Sequence, residues 1–274
     1  MDRYAVVGHP IGHSKSPRIH QLFAAQTGQD MSYSAMLAPL NGFAAAAREF
    51  FARGGRGLNV TVPFKANAAA FADVLDDAAL RAAAVNTLAV EHDNGIKGYN
   101  TDGIGLVRDL TINLGVALTD TRVLVLGAGG AVRGILWPLC AAGVSAIRIL
   151  NRTPYKADLI VEQQQHRAIS TYTTADAEPF DLIINGTSAG LSGSTVAIPE
   201  TAATAITVCY DMTYGTAAAL FGRWAAAHGA ARFADGLGML VEQAAEAFYI
   251  WRRIRPDTRR VIDALRGEET LAGQ

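Results

Sequence analysis

A regular alternation of short apolar strands with alanine-rich helices, running along the chain of 274 residues, constrains the fold most strongly. A helix is predicted to open at Ser16, as its N-cap with Pro17 behind it, and to close at Gly28. Strands are predicted over 4–8, 32–37 and 57–62, with a second helix over 43–53. Strands separated by helices of this length indicate a largely parallel sheet.

A second series of strands and helices begins at Arg122, after a long amphipathic helix predicted over 101–114. Its predicted strands are 122–126, 146–150, 182–185 and 207–210, and its helices are 131–142, 153–165 and 217–228. Two further helices, over 239–251 and 257–266, close the chain. The pattern predicts an α/β fold with two α/β domains and a cleft between them.

Composition narrows the class of protein. A net charge of −1 and a pI near 6.6 argue against a nucleic-acid binder that neutralises phosphates. Cys140 and Cys209 both lie in apolar runs, which favours buried reduced thiols and the cytoplasm. The N-terminus lacks the pattern of a signal peptide, and the longest apolar stretch, 134–147, is short and interrupted by Pro138. We expect a soluble cytoplasmic protein.

A glycine turn stands between the strand at 122–126 and the helix that follows it. Such a turn lets backbone N–H groups approach a pyrophosphate at the positive end of a helix. Its residues are Gly127, Ala128, Gly129, Gly130 and Ala131. The dinucleotide fingerprint has Gly or Ala at its sixth position, where this chain has Val132, so a turn that only closes a βα unit remains an alternative.

The end of the next strand indicates which dinucleotide is bound. NAD sites place Asp or Glu there to bind the ribose hydroxyls, whereas this chain has Asn151, Arg152 and Thr153, followed by Lys156. Two cations and two small polar groups suit a 2′-phosphate, and cations at the start of a helix oppose its dipole unless an anion is bound. The sequence predicts NADP as cofactor.

Two ionisable residues, Lys65 and Asp102, lie beside strongly apolar segments that are interrupted by turns. Charged side chains are seldom held there without a partner or a function. A lysine and a carboxylate that converge would supply a proton donor and acceptor for chemistry on a hydroxyl or carbonyl group. For each of these residues taken by itself, a surface charge at the end of a loop is an equally good interpretation.

Over nearly its whole length the chain resembles shikimate dehydrogenase. The segments that carry the resemblance are 12–17 (GHSKSP), 59–65 (NVTVPFK), 84–87 (AVNT), 100–103 (NTDG), 127–131 (GAGGA), 151–153 (NRT), 210–212 (YDM) and 235–240 (DGLGML). The glycine turn is common to many dehydrogenases, but the other segments in this order are far more specific. Two departures are Gly186, where many members have alanine, and Gly215-Thr216-Ala217, where members often have Thr-Pro.

The resemblance implies NADPH-dependent, reversible reduction of 3-dehydroshikimate to shikimate in aromatic amino-acid synthesis. It also implies a substrate-binding and catalytic domain over 1–101, a Rossmann-like NADP-binding domain over 102–236, and C-terminal helices over 237–274 that return to the first domain. The implied partners are small molecules only, without nucleic acid, membrane or metal, and the implied assembly is a monomer or homodimer.

The resemblance also assigns residue roles. Lys65 and Asp102 carry the proton chemistry, and Asp102 also contacts the substrate. Ser14, Ser16 and Tyr214 bind the substrate carboxylate, although Ser16 could serve only as an N-cap. The remaining assignments are Thr61, Asn86 and Gln243 to the ring hydroxyls, and Met212, Gly236 and Asp77 to the cofactor, in addition to 127–131, 151–153 and Lys156.

Three alternatives remain open. A quinate/shikimate dehydrogenase would have broader substrate or cofactor use. A catalytically silent NADP-binding sensor on the same fold would lack Lys65 or Asp102, and both are present. A folate-linked dehydrogenase has a similar two-domain shape, but the serines at 14 and 16 suit a small acid better.

Overall fold

The computed structural model describes residues 1–176, 178–187 and 197–272. The chain divides into two compact units. Unit 1 consists of Met1–Gly105 and Leu240–Gln274, and unit 2 is Leu106–Met239. Within the described residues, no helix is both long and apolar enough to cross a membrane.

Unit 1 is built on a six-stranded sheet of order β2-β1-β3-β5-β6-β4. Its strands are β1 Asp2–Gly8, β2 Met31–Leu37, β3 Gly55–Val60, β4 Val74–Leu75, β5 Thr87–Val90 and β6 Ile96–Tyr99. Its helices are α1 Ser16–Thr27, α2 Phe43–Ala52, α3 Lys65–Phe71, α4 Asp77–Ala82 and α5 Asp102–Arg108. The helices α9 Leu237–Arg252 and α10 Thr258–Ala272 complete this unit, except for the first turn of α9.

The sheet of unit 1 is mixed. β1 pairs in parallel with β2 and β3, as the strand and helix pattern predicts. β5 runs antiparallel to both β3 and β6, and a short loop joins it to β6. The loop is closed by the Asn94 N–H, which donates to the Glu91 carbonyl at 3.0 Å, and Asn94 lies in the left-handed region at φ +65°, as is typical of a three-residue hairpin loop. Three of the five described pairings are parallel, so the expectation of a largely parallel sheet is confirmed, and β5 is the exception.

The second half of α9 packs on the sheet of unit 1. Trp251 stacks on Tyr4 with ring centroids 4.7 Å apart, and its indole N–H donates to the carbonyl of Leu88 at 3.0 Å. A side chain at Gly57 would collide with the same indole ring. Glycine in β3 thus lets this C-terminal helix lie against the N-terminal strands.

Unit 2 has a second six-stranded sheet, of order β12-β11-β10-β7-β8-β9, and all its pairings are parallel. Its strands are β7 Arg122–Leu126, β8 Ala146–Leu150, β9 Ile169–Thr171, β10 Leu182–Asn185, β11 Val208–Asp211 and β12 Arg232–Ala234. Its described helices include α6 Gly130–Ala141, α7 Pro154–Gln164 and α8 Ala219–Ala227. The strand order reverses beside β7, the doubly wound arrangement in which ligands bind beyond the carboxyl ends of the strands.

The helix predicted over 101–114 changes its hydrogen bonding along its length. It is α-helical over Asp102–Arg108 and becomes a π-helix over Asp109–Asn113, where the Leu114 N–H donates to the Asp109 carbonyl at 2.9 Å. Asp109 is buried and its carboxylate accepts the Tyr210 hydroxyl at 2.7 Å.

Candidate active site

The side chains that the sequence singles out in unit 1 follow strands that meet at one edge of the sheet. β1 and β3 are parallel and pair Val7 with Val60, so their carboxyl ends lie side by side. β5 begins at the same edge, with Thr87 opposite Asn59, and β6 ends there, with Tyr99 opposite Thr87. The loops after β1, β3 and β6 and the segment before β5 therefore converge.

Lys65 and Asp102 form an ion pair at this edge. The Lys65 Nζ lies 2.5 Å from Asp102 Oδ2, and the two side chains are 24% and 10% exposed. Each is the first residue of its helix, and the Asp102 N–H is held by the Asn100 side chain at 3.1 Å. The carboxylate is fixed and largely buried, while the ammonium retains enough exposure to reach a bound molecule.

The Asn86 side chain holds the other oxygen of Asp102. Asn86 is 3% exposed and its Nδ2 donates to Asp102 Oδ1 at 2.8 Å. The backbone N–H of Thr101 donates to Asn86 Oδ1 at 2.9 Å. Because a backbone N–H can only donate, this contact fixes which way the amide faces.

Gln243, on α9, reaches the same cluster. Its Oε1 lies 3.4 Å from Asn86 Nδ2 and 3.5 Å from the Thr101 hydroxyl. A Cβ on Gly105 would lie 2.8 Å from the backbone nitrogen of Gln243, so glycine allows α5 and α9 to approach closely. The structure therefore brings together Lys65, Asn86, Asp102 and Gln243, as well as Thr101, which the sequence did not single out.

Ser14 and Ser16 lie in the loop between β1 and α1. The Ser16 N–H donates to Ser14 Oγ at 3.3 Å, and the Ser14 N–H donates to the carbonyl of Ile11 at 3.1 Å. The prediction that Ser16 is the N-cap is wrong, because α1 begins at Ser16 and Lys15 occupies the N-cap position. Ser16 makes no capping bond, and its hydroxyl lies against the buried Tyr33 hydroxyl instead.

Thr61 lies where β3 ends, against the end of β1. Its N–H donates to the carbonyl of Val7 at 2.9 Å. A Cβ on Gly8 would lie 2.5 Å from Thr61 Cγ2, so glycine is needed for this approach. The His9 N–H donates to the Val62 carbonyl at 3.0 Å, which ties the serine loop to the segment that leads into Lys65.

In unit 2, the glycine turn joins β7 to α6. Gly127 has φ +106°, in the left-handed region, and its N–H donates to the carbonyl of Leu150 at 2.8 Å. A Cβ on Gly129 or Gly130 would meet nothing within 4 Å. Open space in front of the first N–H groups of a 12-residue helix fits a pyrophosphate, and the half-buried Ala128 and Ala131 flank it.

Val132 and Gly186 compensate for each other. Val132 is fully buried at the sixth position of the turn, and a Cβ on Gly186 would lie 2.7 Å from its Cγ2. A larger residue in α6 is thus matched by a smaller one after β10. The valine at 132 and the glycine at 186, which both differ from the expected patterns, therefore fit each other sterically.

The residues after β8 form the start of α7. Asn151 Nδ2 donates to the carbonyl of Thr153, the N-cap residue, at 2.9 Å. Arg152 and Lys156 are both exposed. Among the described residues, neither of these two cations has a salt-bridge partner. They fit an anion at the positive end of an 11-residue helix.

Met212 and Gly236 lie together at the carboxyl edge of the unit 2 sheet. The Met212 N–H donates to the Asn185 carbonyl at 2.9 Å, and the Gly236 N–H donates to the Thr213 carbonyl at 2.8 Å. A side chain on Gly236 would collide with the carbonyl of Met212. The glycine turn after β7 lies at this same edge.

Tyr214 and Asp77 each lie in a different unit from the residues to which the resemblance assigns the same ligand. Tyr214 is the N-cap residue of a 3₁₀ helix in unit 2, whereas Ser14 and Ser16 belong to unit 1. Asp77 is exposed on the first turn of α4 in unit 1, whereas the glycine turn belongs to unit 2.

Sequence reasoning missed a buried pair at the ends of β10 and β11. Asn185 Nδ2 donates to Asp211 Oδ2 at 2.8 Å, and Asp211 Oδ1 accepts the N–H and hydroxyl of Thr213 at 2.8 and 2.7 Å. Burial raises the pKa of Asp211 above its ordinary value. The signal was present, since an Asn and an Asp each end an apolar strand; the pair shapes the loop that carries Met212.

Comparisons with known proteins agree along most of the chain. Residues 6–88 match the family profile described as shikimate dehydrogenase substrate binding domain. Residues 110–196 match shikimate / quinate 5-dehydrogenase, and residues 236–266 match shikimate 5'-dehydrogenase C-terminal domain. A protein of Thioalkalivibrio sulfidiphilus named shikimate dehydrogenase (NADP(+)) is 54% identical over 271 residues, covering 97% of this chain and 98% of that protein.

Solved structures are similar over the same extent. The Ael1 enzyme from Pseudomonas putida has a TM-score of 0.91 at 46% identity, covering 97% of this chain and 98% of that one. Shikimate 5-dehydrogenase from Thermus thermophilus, solved in complex with NADP(H) and shikimate, has a TM-score of 0.85 at 31% identity, covering 97% and 99%. With the matched profiles, these similarities establish that the chain belongs to the shikimate dehydrogenase family.

Proposed function

We propose that this protein catalyses the reversible, NADP-dependent interconversion of shikimate and 3-dehydroshikimate in the synthesis of aromatic amino acids. The single observation that carries the proposal is the Lys65–Asp102 ion pair, 2.5 Å long, at the carboxyl edge of the unit 1 sheet. A half-buried ammonium held by a fixed carboxylate suits proton transfer at a hydroxyl or carbonyl oxygen.

Lys65 and Asp102 have different roles in the reaction. During reduction the Lys65 ammonium gives one proton to the oxygen of the ketone, which becomes the new hydroxyl. During oxidation the neutral amine takes that proton back. Asp102 keeps Lys65 in place through Oδ2, while Asn86 holds its Oδ1, so that the carboxylate cannot rotate away.

The other predicted ligands suit a small hydroxylated acid. Ser14 and Ser16 present two hydroxyls beside the start of α1 and would bind the carboxylate, and Tyr214 is a further candidate for this role. Thr61, Asn86 and Gln243 offer hydroxyl and amide groups to the ring hydroxyls. Asn86 and Gln243 support this assignment through their placement beside Asp102.

The residues of unit 2 fit NADP. The turn 127–131 would hold the pyrophosphate, and Asn151, Arg152, Thr153 and Lys156 would hold the 2′-phosphate. Met212 and Gly236 would face the nicotinamide, and Asp77 is a further candidate for cofactor contact. When bound, the cofactor supplies or accepts the hydride that balances the proton moved by Lys65.

We place the reaction in the cytoplasm, where both cysteines would remain reduced. Cys140 and Cys209 are free thiols, and burial raises their pKa values to about 11 and about 12. Thiols that stay protonated at neutral pH are poor nucleophiles, which suits a structural role.

Steady-state oxidation assays test the proposal directly. The purified protein should reduce NADP in the presence of shikimate, and NAD should be a poorer acceptor. Quinate provides the comparison substrate: rates equal to those with shikimate would favour a quinate/shikimate dehydrogenase of broader use. Absence of NADP reduction with shikimate would refute the proposed function.

A further inference from the structure

The buried polar side chains of unit 1 that are not among the predicted ligands include one in β3 and one in β5. Asn59 in β3 is 7% exposed, and Thr87 at the start of β5 is fully buried. Burying polar groups in a strand core is unfavourable unless each finds a partner. Their partners lead towards the Lys65–Asp102 pair.

The contacts form a continuous path. The Tyr33 hydroxyl donates to Asn59 Oδ1 at 2.7 Å, and Asn59 Nδ2 donates to Thr87 Oγ1 at 3.0 Å. The Thr87 hydroxyl then donates to Asn86 Oδ1 at 3.1 Å. Asn86 Nδ2 donates to Asp102 Oδ1 at 2.8 Å, and so the path ends on the carboxylate that binds Lys65.

The direction of each hydrogen bond is fixed by a neighbouring group that can only donate or can only accept. Asn59 Nδ2 also donates to the carbonyl of Asn86 at 3.2 Å, and the Thr101 N–H donates to Asn86 Oδ1 at 2.9 Å. Thr87 receives a hydrogen bond from Asn59, so its single proton is free for Asn86. Burial raises the pKa of Tyr33 well above its ordinary value, which keeps the phenol protonated as a donor.

All the donors on the path therefore point the same way, towards Asp102. Hydrogen bonds in such a chain polarise one another, and an anion at its end benefits from each member. Simple satisfaction of buried groups would not require a common direction.

We propose that Thr87, supported by Asn59, is a positioning residue for proton transfer, which acts through Asn86 to hold the Asp102 carboxylate against Lys65. This inference rests on the proposed function, in which Lys65 and Asp102 carry the proton. The threonine is buried and does not itself contact the ion pair, so it acts only through Asn86.

The test compares Thr87→Val, which removes the hydroxyl at nearly constant shape, with Thr87→Ser, which retains it. Loss of one neutral hydrogen bond should lower kcat with shikimate by about 3- to 10-fold in Thr87→Val. Thr87→Ser should stay within about 2-fold of wild type, because its hydroxyl preserves the bond, and the KM for NADP should not change in either variant.

Thr207→Val is the matched control. Thr207 is a fully buried threonine in unit 2 whose hydroxyl donates to the Phe180 carbonyl at 2.7 Å. Its loss should lower thermal stability and leave kcat as in wild type. If Thr87→Val does not yield folded protein, Tyr33→Phe removes the first donor of the same path and should lower kcat with the KM for shikimate unchanged; a raised KM would show an effect through the neighbouring Ser16 instead.

A double-mutant cycle separates positioning from general stability. In an Asp102→Asn background, Thr87→Val should cause little further loss of kcat, because the group through which it acts is already altered. Equal fold-losses in both backgrounds, or an unchanged kcat in Thr87→Val with only lowered stability, would overturn the inference. Wild-type protein inactive on shikimate, or Lys65→Ala with normal turnover, would instead count against the proposed function.

Discussion

His20 makes the stability of this protein sensitive to acid. The imidazole is fully buried, is stacked on Tyr33 at 4.1 Å between ring centroids, and has no hydrogen-bond partner at either nitrogen among the described residues. Burial lowers its pKa to about 3, and the neighbouring Asn59 side chain opposes this only in part. The folded state therefore favours the neutral ring.

The sign of the effect follows from proton binding in the two states. Above pH 6.5 both the folded and the unfolded chain carry a neutral His20. Below pH 6.5 the unfolded chain binds the proton, but the folded chain does not until the pH approaches 3. Stability is therefore lost as pH falls through this window. Between pH 6.5 and 4.5 the loss is about 3 kcal/mol, since each unit of pH contributes about 1.4 kcal/mol.

The assay is urea denaturation at pH 7 and pH 4.5 for wild type, His20→Phe and the control His92→Phe. His92 is an exposed histidine of the same unit. The wild-type protein and the control should lose about 3 kcal/mol more than His20→Phe on acidification. Equal losses in all three proteins would refute the reasoning about His20.

Three other predictions follow from the sites. Gly186→Ala should destabilise the protein by about 1–3 kcal/mol through overpacking against Val132, and adding Val132→Ala should restore the melting temperature; no restoration would contradict the compensation. Arg152→Ala combined with Lys156→Ala should weaken NADP binding by about 1.5–3 kcal/mol per contact while leaving NAD binding nearly unchanged; equal losses would show that these residues hold the adenine or the fold. Asp102→Asn should lower kcat and raise the KM for shikimate together, and a change in only one of them would argue against its double role.

The α/β pattern was predictable at several boundaries that glycine marks. Gly28, for example, ends α1 in the left-handed region, as predicted. The antiparallel hairpin of β5 and β6 was missed because each strand has only four residues, although Asn94-Gly95 signalled the turn. The π-helical turn was missed because such turns are rare and occur as single turns inside an α-helix.

Within the candidate site, sequence reasoning named ionisable residues more readily than their supports. Lys65 and Asp102 stand out against apolar neighbours, but they are 37 positions apart, so their contact depends on sheet register. Asn59 and Thr87 gave a weaker signal, since polar residues in strands are common and only the paired strands reveal that they meet. The N-cap of α1 is Lys15 and not the predicted Ser16, so an error of one residue in the helix boundary changes the role of the Ser16 hydroxyl.

The central claim is that Lys65 transfers the proton, and the kinetics of Lys65→Ala on shikimate test it most directly. Lys97→Ala serves as control, because Lys97 lies in β6 of the same unit and contacts the Tyr99 ring. Turnover of Lys65→Ala should fall by roughly 10²–10⁴-fold, or about 3–5 kcal/mol of barrier, with shikimate binding nearly unchanged. Near-normal turnover with a much larger KM would contradict the account, because Lys65 would then only bind the substrate.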